Sequence, residues 1–300
     1  MDKLDSILVI ANPESGRSES KEKEDYLRTK LSEYFKYVDV KYTERKGHAT
    51  DLVKYAVEEG FTSICSVGGD GTIAEILQGL IEFDNPPALL IYPAGTGNIL
   101  SQALGYSQNQ NKVIDQLDYE NPKKIDIGLV NGKAFSFLLS IGNISESVHE
   151  VSNEDKEKFG FFAYVSNIFK NIGNDKQYNL SVELDGKKYE GNVDHLVVTM
   201  SEKLGPIKVS NLDASCDDGM MNLFILKDKS LWTKARVGIE AFFGDVKNSD
   251  IVEFMRGKKL TIKNLNDDQV HIDIDGDQGP DLPIEVEVVS DKIKVYVPKK

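Results

Sequence analysis

Over its first 126 residues the chain alternates short apolar runs with stretches in which apolar residues recur every three or four positions. Ile7 to Ile10 reads as a buried strand ending at Asn12-Pro13-Glu14-Ser15-Gly16. A polar, charged helix is expected over about Lys21 to Phe35, a second strand over Val38 to Tyr42, and a helix over Ala49 to Glu59 with Leu52, Val53, Ala56 and Val57 on one face. Ile64 to Val67 reads as a third strand ending at Gly68-Gly69-Asp70-Gly71-Thr72, after which Ile73, Ile76, Leu77, Leu80 and Ile81 recur at helical spacing. A fourth strand, Ala88 to Tyr92, ends at Pro93-Ala94-Gly95-Thr96-Gly97 and leads into a helix reaching about Leu104. Alternation of this kind implies a parallel sheet with helices on both faces.

After Asp126 the period shortens to two. Leu180, Val182 and Leu184 alternate with Asn179, Ser181 and Glu183, and Asp185-Gly186 offers a tight hairpin turn. Further strands are expected over His195 to Met200, Met221 to Leu226, Leu260 to Leu265, Val270 to Asp275, Ile284 to Val289 and Ile293 to Val297. Two helices are expected among them, about Gly160 to Ile172 and Leu231 to Phe243. The pattern divides the chain into an α/β domain over 1–126, with 293–300 as a candidate returning segment, and a mainly antiparallel β-sandwich domain over 127–292.

Composition narrows the class. With 300 residues, 40% apolar and 28% charged, the chain suits two globular domains. Only two cysteines occur, Cys65 and Cys216, which fits reduced thiols in a cytoplasmic protein better than a disulfide framework. No apolar run approaches the roughly 20 residues of a membrane helix, so any membrane contact is expected to be peripheral, at the inner face. The net charge of −13 is spread evenly, with 14 basic and 21 acidic residues up to Asp126. That balance argues against nucleic acid as a partner and against strong attachment to anionic lipid.

Chemistry concentrates at three strand-to-turn junctions. In an open parallel sheet, ligands bind outside the carboxyl ends of the strands. Glycine lets the backbone approach a phosphate, and the N–H groups opening the next helix point at it. Gly68 to Thr72 carries the strongest signal, because it follows a β-branched strand and opens an amphipathic helix. Gly95 to Asn98 and Asn12 to Gly16 add weaker ones. A bare carboxylate at Asp70 would repel phosphate, so it is expected to act through Mg²⁺ or to orient an acceptor hydroxyl. Arg17 either offsets phosphate charge or is a solvated surface arginine. The second domain adds two acidic turns, Asp217-Asp218-Gly219 and Asp275-Gly276-Asp277, each also readable as a plain turn. Set across an interdomain cleft from Asp70, their carboxylates would supply a metal ligand and a general base. No P-loop and no dinucleotide-binding Gly-x-Gly-x-x-Gly occurs, and the four histidines are scattered.

Taken together, these residues resemble the diacylglycerol kinase catalytic-domain family in its bacterial soluble branch, with a Rossmann-like first domain of the NAD kinase and diacylglycerol kinase type. The markers are Asn12 to Gly16, Thr43 with Gly47 and Ala49, Gly68 to Thr72, Glu75 with Gly79, Pro93 to Asn98, Lys124 to Gly128, Phe159 to Tyr164, Asp217 to Gly219 and Asp275-Gly276. The resemblance implies an ATP- and Mg²⁺-dependent kinase acting on a lipid hydroxyl such as that of diacylglycerol. It implies ATP contacts at Asn12, Pro13, Glu14, Ser15, Gly16, Thr43, Gly69, Asp70, Gly71, Thr72, Ile73, Ala74, Glu75 and Thr96. It implies a magnesium site at Ser215, Asp218 and Met220, the first and last through backbone carbonyls. Asp277 falls at the proton acceptor, with Asp70 as the alternative acceptor of the hydroxyl proton, Asp126 falls at a supporting carboxylate, and a homodimer stays open. Phe159, Phe161, Phe162, Tyr164 and Phe169 would either line a lipid groove or form an ordinary core helix.

Three positions depart from the family pattern. The proton acceptor is normally glutamate, and Asp277 reaches about 1.5 Å less far, a misplacement able to cost roughly 100-fold. Ile99 stands where aspartate is usual, and Ala74 where asparagine is usual. Two alternatives therefore stand beside a lipid kinase: a kinase for a soluble acceptor, since NAD kinases and phosphofructokinases resemble the family around Gly68 to Thr72, and a nucleotide-binding regulator without turnover.

Overall fold

The computed structural model describes residues 3–15, 21–95, 98–107, 109–142, 177–201, 203–204, 207–208, 214–227, 252–275 and 277–299. Gly16, Arg17, Thr96, Gly276, the aromatic stretch from Phe159 to Phe169 and both helices expected in the second half lie outside them. The chain divides into two compact units, Met1–Asp126 with Val289–Lys300, and Ile127–Val288.

The first unit contains β1 (Leu4–Ala11), α1 (Lys21–Leu31), β2 (Phe35–Tyr42), α2 (His48–Glu58), β3 (Ser63–Gly68), α3 (Asp70–Leu80), β4 (Ala88–Pro93), α4 (Ile99–Ala103) and α5 (Gln110–Val113). The four strands are parallel in the order β2-β1-β3-β4. Every residue of β3 and β4 is buried, as are Ile7 to Ala11 of β1. These strands read as continuous apolar runs because helices cover both faces of a parallel sheet. On one face α2 and α3 approach closely: a Cβ on Gly79 would meet Val53 at 2.7 Å. Right-handed crossovers place α1 on the opposite face, where Tyr26 Oη donates to the carbonyl of Asn111 in α5.

One boundary differs from the sequence reading. Helix α1 stops at Leu31, and Phe35 opens β2 instead of ending the helix. Phe35 is fully buried, with its ring edge-on to Tyr119 and Tyr296. An aromatic three or four positions past a helical residue fits either pattern, and tertiary packing decides.

The second unit holds the second half of β5 (Lys123–Val130), then β6 (Lys133–Phe135), β7 (Leu138–Ile141), β8 (Tyr178–Leu184), β9 (Lys187–Val193), β10 (His195–Thr199), β11 (Lys203–Leu204), β12 (Ile207–Lys208), β13 (Met221–Leu226), β14 (Val252–Gly257), β15 (Lys259–Asn264), β16 (His271–Ile274), β17 (Asp277–Asp281) and the start of β18 (Ile284–Val295). One antiparallel sheet runs β14-β13-β10-β7-β16-β17, and the other layer runs β18-β15-β8-β9 with β5 and β6 joined through β18. Inward residues of both layers share one core, among them Val182, Leu260 and Val286 from one and Leu139, Val198 and Leu223 from the other. This is a β-sandwich. The β8–β9 turn has Asp185 at φ 48 and Gly186 at φ 82, the left-handed pair that a two-residue hairpin demands.

The two C-terminal strands expected from the sequence are one. β18 runs through Ser290 and Asp291, both exposed, with Asp291 at φ 61. Its first half pairs with β15, and its far end enters the first unit, where Val295 pairs with Leu89 of β4. Exposure in the middle of the strand, not a chain break, interrupts the apolar pattern. No helix among the described residues is long and apolar enough to cross a membrane.

Candidate nucleotide site

The parallel ladders bring β1, β2, β3 and β4 to one level: Ala11 pairs with Tyr42 and Val67, and Gly68 pairs with Pro93. The loops after all four strands therefore emerge along one edge. The chain leaves β1 toward β2 on one side, while β3 and β4 extend the sheet on the other. The crevice between β1 and β3 is the switch point where open α/β sheets bind ligands.

Hydrogen bonds tie these loops together. Asn12 Nδ2 donates to Thr72 Oγ1 at 3.2 Å, across the switch point. Its Oδ1 accepts the Glu14 amide at 2.9 Å, and its carbonyl accepts the Ser15 amide and hydroxyl. The first loop is thus an Asx turn anchored to the start of α3. The Thr43 amide donates to the Ala11 carbonyl at 2.9 Å, which sets Thr43 beside it.

Two glycines meet at the centre. A Cβ on Gly95 would lie 2.5 Å from the Gly69 Cα and 3.3 Å from the Gly69 nitrogen, so only glycine fits at 95. Gly69 caps α3 without a side chain. The positive end of an eleven-residue helix therefore faces the loops, as an anion requires. Asn98, at φ 49, holds the third loop by accepting the Gly95 amide and donating to the Gly95 carbonyl. Asp70 Oδ1 accepts the Ile99 amide at 2.8 Å.

Three of the residues singled out in the sequence also have a structural place. Glu75 spreads its carboxylate over the Gly47 amide at 2.7 Å and the Ala49 amide at 3.2 Å, which caps α2 and fixes the loop after Thr43. Ile73 is fully buried and faces the core, and Asp126 is buried on β5. A charge not singled out in the sequence is Lys23, in the first turn of α1. Its ammonium lies 5.3 Å from the Tyr92 ring centroid, and burial pulls its pKa down. Tyr92 pairs with Val67, so this cation stands one residue below the glycine turn.

In the second unit, Asp275 closes the β16–β17 turn. Its carboxylate accepts the amides of Ser136, Phe137 and Leu138 and the Ser136 hydroxyl. Burial raises its pKa, and these donors pull it back. Asp277 follows, exposed at the start of β17 and opposite Ile274. Asp218 turns inward to the amides of Ser215 and Met220 and to Arg256. Among the described residues no group of three or more His, Cys, Asp or Glu could hold a metal ion. In the Ser215–Met220 loop, where the resemblance implies magnesium, the Arg256 guanidinium lies 2.6 Å from the Asp218 carboxylate.

Residues 6–130 match the model of the diacylglycerol kinase catalytic domain, and residues 140–297 match the YegS C-terminal NAD kinase beta sandwich-like domain. A Streptococcus pneumoniae protein named provisionally as a lipid kinase is 35% identical, over 96% of this chain and 97% of that protein. A Bacillus subtilis diacylglycerol kinase is 30% identical, over 97% of this chain and 96% of the relative. A crystal structure of a diacylglycerol kinase from Bacillus anthracis superposes with a TM-score of 0.80 at 25% identity, covering 99% of this chain and 98% of that one.

Proposed function

This chain belongs to the diacylglycerol kinase catalytic-domain family and is an ATP-dependent lipid kinase, and we propose that the free hydroxyl of diacylglycerol is its acceptor. The observation that carries the reading is the meeting of Gly69 and Gly95 beside the Asn12–Thr72 bond, at the switch point of a parallel sheet. Mg·ATP is the phosphoryl donor. Its phosphates lie against the Asn12–Ser15 turn and the first amides of α3, which offer dipole and backbone donors where negative charge accumulates. Asp70, Asn98 and Glu75 hold the surrounding loops at fixed spacing, and phosphoryl transfer depends chiefly on such positioning.

In the transfer, the lipid hydroxyl oxygen bonds to the γ-phosphorus, the bond to the β-bridging oxygen breaks, and ADP leaves. The hydroxyl proton passes to a carboxylate, for which Asp277 is the candidate. Peripheral contact with the lipid surface belongs to the same proposal, since the acceptor resides there and the net charge of −13 disfavours lasting electrostatic attachment.

The matched sandwich domain is described as NAD kinase-like, so a soluble nucleotide acceptor is the second reading. Purified protein, Mg·ATP and a panel of short-chain diacylglycerol, other lipid alcohols and NAD⁺ separate the two. Phosphatidic acid as the main product is expected. Phosphorylated NAD⁺, or no phosphorylated lipid at all, contradicts the proposal.

A further inference from the structure

The loop Ser215–Met220 winds around a single carboxylate. Asp218 Oδ2 accepts the Ser215 amide at 2.6 Å, and Oδ1 accepts the Met220 amide at 3.0 Å. A third donor comes from outside the loop: Nη2 of Arg256, on β14, lies 2.6 Å from Oδ2. Both side chains are 23% exposed, so the pair is largely shielded from water. The neighbouring carboxylate, Asp217, takes the Ser215 hydroxyl and so is also engaged within the loop. The β13–β14 register fixes the approach, because Arg256 stands opposite Asn222 on the strand into which the loop leads.

We propose that the Arg256 guanidinium is the resident cation of this loop, which therefore keeps its shape without a bound divalent ion. A guanidinium at hydrogen-bond distance already neutralises Asp218, and it stays charged at any pH the protein survives. A divalent ion at Asp218 would have to expel Arg256 or share a shielded site with a second positive charge. It would also need about six oxygen ligands, and the loop turns one carboxylate inward. The metal requirement of the enzyme then resides in the nucleotide alone. The inference concerns the loop and holds whichever alcohol is phosphorylated.

The loop carries its own reporter. Cys216 is half-buried within it, whereas Cys65, the other cysteine of the chain, is fully buried in β3. The rate at which a thiol reagent labels Cys216, without nucleotide, reads the opening of the loop. The wild-type rate is expected to be equal in Mg²⁺ and in EDTA. Arg256→Met, which keeps the stem and removes the charge, is expected to label about tenfold faster, given the worth of a hydrogen bond to a charged group. Arg256→Lys should fall between them. Thermal melting gives the second reading: any Mg²⁺-induced shift in Tm should be the same in wild type and Asp218→Asn. Protection of wild-type Cys216 by Mg²⁺, a shift in Tm lost in Asp218→Asn, or wild-type labelling in Arg256→Met would each overturn the proposal. Should Arg256→Met fail to fold, the comparison of wild type with Asp218→Asn decides by itself.

Discussion

Oδ1 of Asp70, in the first turn of α3, accepts the backbone amide of Ile99, the first residue of α4, at 2.8 Å. This bond joins the loops after β3 and β4. Position 99 is usually aspartate in the family branch, yet here it serves through its main chain while its side chain is buried in the core. Asp70 is therefore a bracket between two loops as well as a negative charge beside the proposed phosphates. Asp70→Asn keeps an acceptor for the Ile99 amide but removes the charge. It is expected to lower kcat by about 100-fold, while costing stability at most about 1–2 kcal/mol. Steady-state kinetics beside a melting curve checks the split, and a loss of activity matched by unfolding would count against it.

Gly95→Ala places a methyl group 2.5 Å from the Gly69 Cα. Neither backbone can yield without moving a loop proposed to face the phosphates. Calorimetric titration should show ATP binding weakened by at least about tenfold, with the fold retained by circular dichroism. Wild-type affinity in this variant would mean the two glycines do not frame the nucleotide.

Glu75→Gln tests whether the glutamate braces or binds. An amide can accept from only one of the Gly47 and Ala49 amides, and its NH₂ faces the other. A stability loss of about 1–2 kcal/mol is expected, with a raised KM for ATP and a smaller change in kcat. A fall in kcat with KM unchanged would instead make Glu75 a direct participant in transfer.

Burial pushes the Cys65 thiol far above its ordinary value. The sign is toward the neutral thiol, so raising the pH to about 8.5, where a free thiol ionises, should not expose a second reactive group. Native protein should titrate one thiol and denatured protein two. Two reactive thiols in the native state would show that β3 opens readily.

Asp277→Asn is expected to lower kcat by about 100-fold or more if this carboxylate takes the hydroxyl proton. Asp277→Glu, which restores the usual reach, should equal or exceed wild type. An unchanged rate in Asp277→Asn would move the proton elsewhere.

The parallel sheet and its glycine turns were legible because β1, β3 and β4 are buried on both faces and end in residues chosen for backbone approach. In the β-sandwich β8 was legible because one face is buried and the other polar, whereas β5 and β7, buried along most or all of their length without that alternation, were not read as strands. β9 (KKYEGNV) and β17 (DQGPD) carry mostly polar residues and exist only through pairing with β8 and β16. The partners of the candidate site residues were not legible. Nothing in the sequence separates a glutamate that caps α2 from one that meets a ligand, because the partners of Glu75 lie 26 and 28 residues away. The Arg256 partnership with Asp218 spans 38 residues and rests on strand register alone.

The edge formed by Gly69, Gly95 and Asn12 is proposed to deliver the γ-phosphoryl group of ATP to a lipid hydroxyl. Transfer of label from γ-labelled ATP to diacylglycerol in mixed micelles, measured for wild type and Gly95→Ala side by side, tests it most directly. Labelled phosphatidic acid from the wild type, reduced at least about tenfold at subsaturating ATP in the variant, is the expected result. No labelled lipid from the wild type, or equal rates from the two proteins, would contradict the account.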